Sequence, residues 1–115
     1  MATDVRLTPQ DLDTTGQAVT RTALVIAATS VYQVLLSPGG TIINWVKTGA
    51  NPATVTVVLP GTVDGQAITD REIVVAATNG DVVAEFFPEH YANADGDLEF
   101  TVSEATDITA AVFQR

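Results

Sequence analysis

Short runs of apolar and β-branched residues recur from about residue 23 onward, at intervals of about ten residues. Gly, Pro, Asn and Asp, which favour turns, lie between these runs. The pattern predicts eight strands, at residues 23–28, 31–36, 41–47, 54–59, 72–77, 82–87, 97–103 and 107–113. No stretch repeats apolar residues at helical spacing, so no helix is available to connect parallel strands. We therefore expect an all-β fold, an antiparallel β-sandwich or a small jelly-roll-like barrel.

Alternation along the predicted strands indicates which faces are dry. Leu98, Phe100 and Val102 point one way, and the intervening residues, with Asp97, point the other way. Residues 54–59 alternate in the same manner. Residues 42–46 and 73–75 are apolar on both faces, which predicts strands that are central or covered on both sides.

One turn carries a stronger local signal than the others. Asn79 and Gly80 lie between two apolar runs, and this dipeptide favours the type I′ turn of a two-residue hairpin. We therefore expect the strands at 72–77 and 82–87 to pair as a hairpin.

The first twenty residues differ from the rest of the chain. They are polar and rich in Thr, and their apolar residues follow neither the period of a strand nor that of a helix. This composition predicts an extended arm at residues 1–20, followed by a β-sandwich domain at residues 21–115. In a solitary monomer a disordered tail is the alternative.

Charge excludes several classes of function. The 115 residues carry a formal net charge of −9 at pH 7, which argues against binding nucleic acid or an anionic membrane surface. Residues 1–58 are neutral in sum, and residues 59–115 carry the whole excess of acid. This asymmetry predicts a nearly neutral portion and a strongly acidic one. No apolar run approaches the roughly 18 residues of a membrane span, and residues 1–10 lack the pattern of a secretory signal.

Candidate chemistry is sparse. The chain has no Cys and one His, His90, in a predicted loop, and its serines lie outside any nucleophile elbow. Residues 93–99 are rich in oxygen ligands but fail the calcium-loop template, since Leu98 stands where that loop requires glycine. We therefore predict no catalytic residue, no metal site, no cofactor and no enzymatic activity.

The order of several short motifs resembles the head decoration, or capsid cement, proteins of tailed bacteriophages. The segments that carry the resemblance are 7–10, 46–49, 60–67, 70–71, 87–91, 94–96 and 110–113. They span most of the chain, and each is chiefly turn chemistry, so their order matters more than any one of them. Trp45 and Asn44 carry no part of the resemblance.

The resemblance implies a viral structural protein that binds the outer surface of an assembled capsid and stabilises it. Its partners would be the major capsid protein and copies of itself, as a homotrimer, with no nucleic acid or membrane. The protein would lie on the virion surface after assembly in the host cytoplasm. In this interpretation Val5, Leu7 and Leu12 anchor the arm to a partner, and repeated contacts give avidity.

Two other classes of function stay open at the level of sequence. A tail-tube or head–tail joining subunit would need long loops between subunits, and the predicted loops are short. A carbohydrate-binding or adhesion β-sandwich would need exposed aromatic rings, for which Trp45, Tyr32 and Tyr91 are the candidates.

Overall fold

A computed structural model describes residues 5–12, 16, 18–24, 31–67, 69–103 and 107–114, with the side chains of 5, 62, 63 and 67 excepted. The strands are β1 (Val5–Leu7), β2 (Gln10–Asp11), β3 (Thr22–Ala23), β4 (Tyr32–Leu35), β5 (Thr41–Lys47), β6 (Ala53–Val57), β7 (Thr62–Val63), β8 (Gln66–Ala67), β9 (Arg71–Val75), β10 (Gly80–Phe86), β11 (Asp97–Val102) and β12 (Ile108–Gln114). A single helical turn, α1, spans Pro88–Tyr91.

Two five-stranded sheets pack face to face. The first sheet has the order β1-β4-β11-β6-β9, and the second has the order β10-β5-β12-β2, with β3 also paired to β12. The short strands β7 and β8 form a separate small hairpin between β6 and β9. The prediction of an all-β sandwich is confirmed.

The sheets are mixed rather than purely antiparallel. β1 runs parallel to β4, and β2 runs parallel to β12. Both parallel pairs come from the segment before residue 12, which lies along the outside of strands that are otherwise antiparallel. Edge pairing of this kind requires no helical crossover between neighbouring strands.

Alternation was a sound guide to the strands. β5 spans the seven residues predicted for it and lies between β10 and β12, which explains its apolar residues on both faces. β6 and β11 bury alternate residues as expected. The predicted strand at 23–28 is described only at Ala23 and Leu24, and residues 25–28 lie outside the described part.

The core holds a chain of aromatic rings that crosses both sheets. Tyr32 stacks on Phe100 at 5.2 Å between ring centroids, and Phe100 meets Trp45 edge-on at 5.4 Å. Trp45 then contacts Phe86 at 6.3 Å, and Phe86 contacts Tyr91 at 4.9 Å. Tyr91 is half-buried, so the chain of rings begins in the interior and ends at the surface.

The hairpin predicted at Asn79 and Gly80 is wrong. β9 pairs with β6 in one sheet and β10 pairs with β5 in the other, so the turn is a corner between sheets. Thr78, rather than Asn79 or Gly80, has a positive φ, of 67°. Gly80 is required for another reason, because a Cβ there would collide with the backbone of Ala76.

The prediction for residues 73–75 is also wrong. β9 is an edge strand among the described residues, and Val74 is 64% exposed. The apolar outer face of this strand is therefore neither central nor covered.

The charge asymmetry along the sequence does not divide the fold into two blocks. Both sheets contain strands from before and from after residue 58, and in both sheets such strands are direct neighbours. A nearly neutral half and an acidic half therefore do not exist as separate bodies in the sandwich.

Candidate functional site

The two lateral margins of the sandwich differ in the strands that form them. The covered seam is the side where β4 and β12 are bordered by β1, β2 and β3. The open seam is the side where β9 and β10 form the margins of their sheets. Among the described residues, neither β9 nor β10 pairs with a further strand on its outer side.

At the covered seam the early segment pairs with both sheets in turn. Val5 to Leu7 lie opposite Tyr32 to Val34, and Gln10 and Asp11 lie opposite Phe113 and Gln114. The Leu12 amide then donates to the carbonyl of Gln114 at 3.1 Å. The described part of the predicted arm therefore forms edge strands of its own sandwich.

An ion pair reinforces the first of these pairings. The Arg6 guanidinium donates to both carboxylate oxygens of Asp97, at 3.1 Å from Nη1 and 2.6 Å from Nη2. These hydrogen bonds, and the negative charge of Asp97, raise the pKa of Arg6 above its ordinary value. Asp97 lies on the outward face of β11, opposite the exposed Leu35, as alternation predicts. It is nevertheless only 3% exposed, because Arg6 covers its carboxylate.

Side-chain hydrogen bonds also fix residues 18–21, which lead into β3, beside the pair formed by β2 and β12. The Gln10 amide donates to the carbonyl of Ala18 at 2.9 Å, and its oxygen accepts the Thr20 amide at 2.8 Å. Arg21 donates to Asn44 Oδ1 on β5 at 2.7 Å. The covered seam is thus closed by side chains as well as by backbone pairing.

The three predicted anchors do not share one environment. Leu7 is 3% exposed and belongs to the core, so in this structure its side chain is not available to a partner. Leu12 is 46% exposed and lies just beyond β2. Val5 lies in β1, and its side chain is outside the described part. A partner-binding role for this segment stays a prediction, with Leu12 as its exposed residue.

The open seam contains a groove of about 450 Å³ between the edges of β9 and β10. Its lining includes Ile73 of β9 and the inward-facing Val82 and Ala84 of β10, all only partly buried. Partial burial of inward-facing apolar residues means that the core reaches solvent along this groove.

One end of the groove is polar and aromatic. Arg71 Nε donates to the Tyr91 hydroxyl at 2.9 Å, and both residues line the groove beside Phe86. The helical turn α1 positions Tyr91, because Pro88 begins the turn and the amide of Ala92 donates to the carbonyl of Pro88 at 3.1 Å. The chain of rings described above therefore ends in this groove.

The outward face of β10 alternates acid and apolar residues. Asp81, Val83 and Glu85 are all exposed, with Val83 at 62%. On β9, Glu72 and Val74 continue the same pattern. Sequence reasoning missed this surface, because an apolar run between Asp81 and Glu85 has the same local pattern whether its outer face is covered or not.

His90 lies in a shallower groove of about 380 Å³ with Glu89, Asn93 and neighbouring loop residues. His90 Nε2 is 3.5 Å from Glu89 Oε1, and the two side chains are 70% and 77% exposed. Ser37 and Ser103 do not line this groove, and Ser30 lies outside the described residues. The described part of this groove holds no nucleophile beside a positioned base.

The oxygen-rich stretch at residues 93–99 satisfies its own hydrogen bonds. Asn93 Oδ1 accepts the amides of Asp95 and Asp97 at 2.9 and 3.1 Å, and its Nδ2 donates to Glu99 at 2.8 Å. Within the described ranges, no three His, Asp or Glu side chains form a group suited to a metal ion.

The comparisons with known proteins add no assignment. No protein-family model matches the chain, and neither the curated proteins nor the solved structures contain a significant match. Among the described residues, no helix has the length and apolar character required to span a membrane.

Proposed function

We propose that this chain is a non-enzymatic decoration protein that attaches to the outer surface of an assembled phage capsid and stabilises it. Its partners in this proposal are the major capsid protein and other copies of the chain, on the virion surface. The order of motifs in the sequence suggested this class, and the surfaces described above support it.

The observation that carries the proposal is the open seam. Two adjoining strand edges lie beside a groove in which apolar residues packed against the core, such as Ile73, are only partly buried. An edge strand presents unpaired amides and carbonyls, and these are a template for pairing with another chain. A protein that stabilises a shell needs such a contact, repeated many times with modest strength at each copy.

The covered seam supports the same proposal from the opposite side. Its backbone pairing and the Arg6–Asp97 ion pair close that margin without a partner. Short strands of two or three residues thus form that margin, whereas β10 presents a seven-residue edge at the other, which suits a subunit that is added to a shell after the shell has formed.

Charge supports an outward orientation for the rest of the surface. The net charge of −9 gives every copy the same sign. Like charge on the exposed face of a decorated particle keeps particles apart in solution.

Co-sedimentation with purified, expanded capsids of a tailed phage whose genome encodes this chain tests the proposal. We expect the protein to pellet with capsids at micromolar concentration, and to raise the temperature at which the capsids release DNA. Failure to co-sediment with those capsids would refute the assignment.

The proposed homotrimer has its own test. Native mass spectrometry of the protein, free and released from capsids, is expected to show monomers and trimers. A closed ring of six or twelve subunits would instead support a tail-tube or head–tail joining subunit.

A further inference from the structure

We infer that the free edge of β10 receives an extended strand whose residues alternate basic and apolar, supplied by a different protein. The inference rests on the proposed function only for the source of that strand, which would then be the capsid protein. The chemistry of the binding site is set by β10 itself.

The backbone of β10 determines the shape of the ligand. β10 spans the seven residues Gly80–Phe86, and along its whole length one side is paired with β5. No described strand pairs with the other side. Half of the amides and carbonyls of an antiparallel strand point to each side, so the free side offers a ladder to an extended segment.

Register determines which side chains of the ligand meet which residues of β10. Residues directly opposite each other in paired strands lie on the same face, about 4.5–5.5 Å apart at Cβ. A strand centred on Val83 would therefore place its outward residues opposite Asp81, Val83 and Glu85. Asp81 also accepts a hydrogen bond from Asn44 Nδ2 at 2.7 Å, which leaves its negative charge in place. The inward residues of the incoming strand would lie opposite Val82 and Ala84, in a groove whose lining also includes the Arg71 side chain at one end.

The acidic side chains of β10 then determine which residues are favoured in the incoming strand. Opposite charges on directly paired positions are favourable, and like charges are unfavourable. The outward face of the incoming strand should therefore carry Lys or Arg, an apolar residue, and Lys or Arg in that order. Small apolar residues are favoured at the inward positions, where Val82 and Ala84 are partly buried.

The same charges disfavour a second copy of this chain at the site. Antiparallel pairing of β10 with β10 of another copy, centred on Val83, would place Asp81 of each copy opposite Glu85 of the other. Charged residues on an edge strand are a common means of preventing self-pairing. Repulsion of the wrong strand and attraction of the right one together give specificity.

The probe is a pair of capped heptapeptides, titrated into the isotope-labelled full chain and followed by NMR. The first is Thr-Lys-Val-Val-Val-Lys-Thr, and the second has Glu in place of both Lys. We expect the Lys peptide to bind about tenfold more tightly than the Glu peptide, because two facing charges change sign. We also expect its amide shifts to be centred on residues 80–86.

A charge-reversed variant, Asp81→Lys with Glu85→Lys, should exchange the two preferences. The matched control is Glu89→Lys with Asp95→Lys, which makes the same change of net charge at exposed positions outside the groove. The control should keep the preference for the Lys peptide. If the reversed variant does not fold, Asp81→Asn with Glu85→Gln should remove the preference without reversing it.

Several results would overturn the inference: no binding of the Lys peptide in the millimolar range, equal binding of both peptides, or shifts centred away from β10. The same titration separates this inference from the proposed function. A protein that binds the Lys peptide at β10 but not capsids would refute the decoration assignment and leave the strand-binding site intact.

Discussion

The covered and open seams differ in what lies beside the edges of their strands. Each margin of a β-sandwich leaves strand edges that can pair with other chains. At the covered seam the chain occupies the edges of β4 and β12 with its own early residues, and it buries Leu7 in the process. At the open seam the edges stay free among the described residues, and acids alternate along them. Pairing with short strands of the same chain therefore covers the edges at one margin, whereas exposed acidic side chains flank the edges at the other.

The largest expected effect comes from substitution of Leu7, the buried residue of the covered seam. Leu7→Ala should lower the free energy of unfolding by about 2–4 kcal/mol, because it leaves a cavity in the core. Urea denaturation followed by circular dichroism measures this loss.

Leu12→Ala is the matched control, because Leu12 belongs to the same early segment but is half-exposed, just beyond β2. It should cost about 0.5 kcal/mol or less. Equal effects of the two substitutions would show that Leu7 is not packed in the core of the isolated protein.

The next effect concerns the corner that joins the two edges of the open seam. Gly80→Ala places a methyl group against the backbone of Ala76, which a side-chain rotation cannot relieve. We expect a loss of about 1–3 kcal/mol, as for other overpacked sites. The midpoint of thermal unfolding checks this.

Gly65→Asn is the control for Gly80→Ala. Gly65 has a φ of +79° and open space where a Cβ would lie, and Asn tolerates this conformation better than most residues. A larger loss at Gly65 than at Gly80 would contradict the steric role of Gly80.

A smaller, local effect is expected from the ion pair of the covered seam. Arg6→Met keeps an unbranched side chain but removes both hydrogen bonds to Asp97. Backbone amides of β1 should then exchange with solvent faster, while those of β9 and β10 are unchanged. Arg21→Met is the control, and should accelerate exchange at β3 rather than at β1.

The pH dependence of this contact follows from the raised pKa of Arg6. A group with a raised pKa in the folded state contributes stability that is complete below its unfolded pKa and lost as pH rises through the folded one. Deprotonation of Arg6 therefore affects β1 only in strongly alkaline solution. If exchange at β1 accelerates between pH 7 and pH 10, beyond the ordinary base catalysis seen at β6, another group is responsible.

The smallest effect on stability belongs to the open seam. Val83→Ala and Val74→Ala remove exposed methyl groups, so each should change the free energy of unfolding by about 0.5 kcal/mol or less. Val83→Ala should nevertheless weaken binding of the Lys peptide, whereas Val74→Ala on β9 should not. A loss of stability comparable with that of Leu7→Ala would show that Val83 is buried.

The sequence predicted the central strands well because their pattern reports burial directly. Every second residue of β11 from Leu98 to Val102 is buried, and β5 is flanked on both sides. Local alternation suffices where a strand lies against a packed core.

The margins were harder to predict, because pairing there depends on residues far apart in sequence. β1 and β2 have three and two residues, too few for a period to emerge. The dipeptide at Asn79 has the composition of a hairpin turn, yet packing of β9 and β10 on different partners makes it a corner. Asp97 is buried because Arg6, 91 positions away, reaches over it. The open seam was missed for the same reason, since no local pattern distinguishes a covered apolar face from an uncovered one.

The chain of aromatic rings connects the open seam to the fluorescent side chain of Trp45. Trp45 is the single tryptophan, and it is separated from the groove by one ring, that of Phe86. Phe86 in turn contacts Tyr91 at the groove wall. A strand that pairs with β10 would cover the groove that Phe86 and Tyr91 line. It would displace water near these rings, so the emission of Trp45 should change upon docking without any added label. Occupancy on an intact capsid is then measurable from the intrinsic fluorescence of the protein, wherever the capsid protein's own tryptophans are accounted for by an undecorated control.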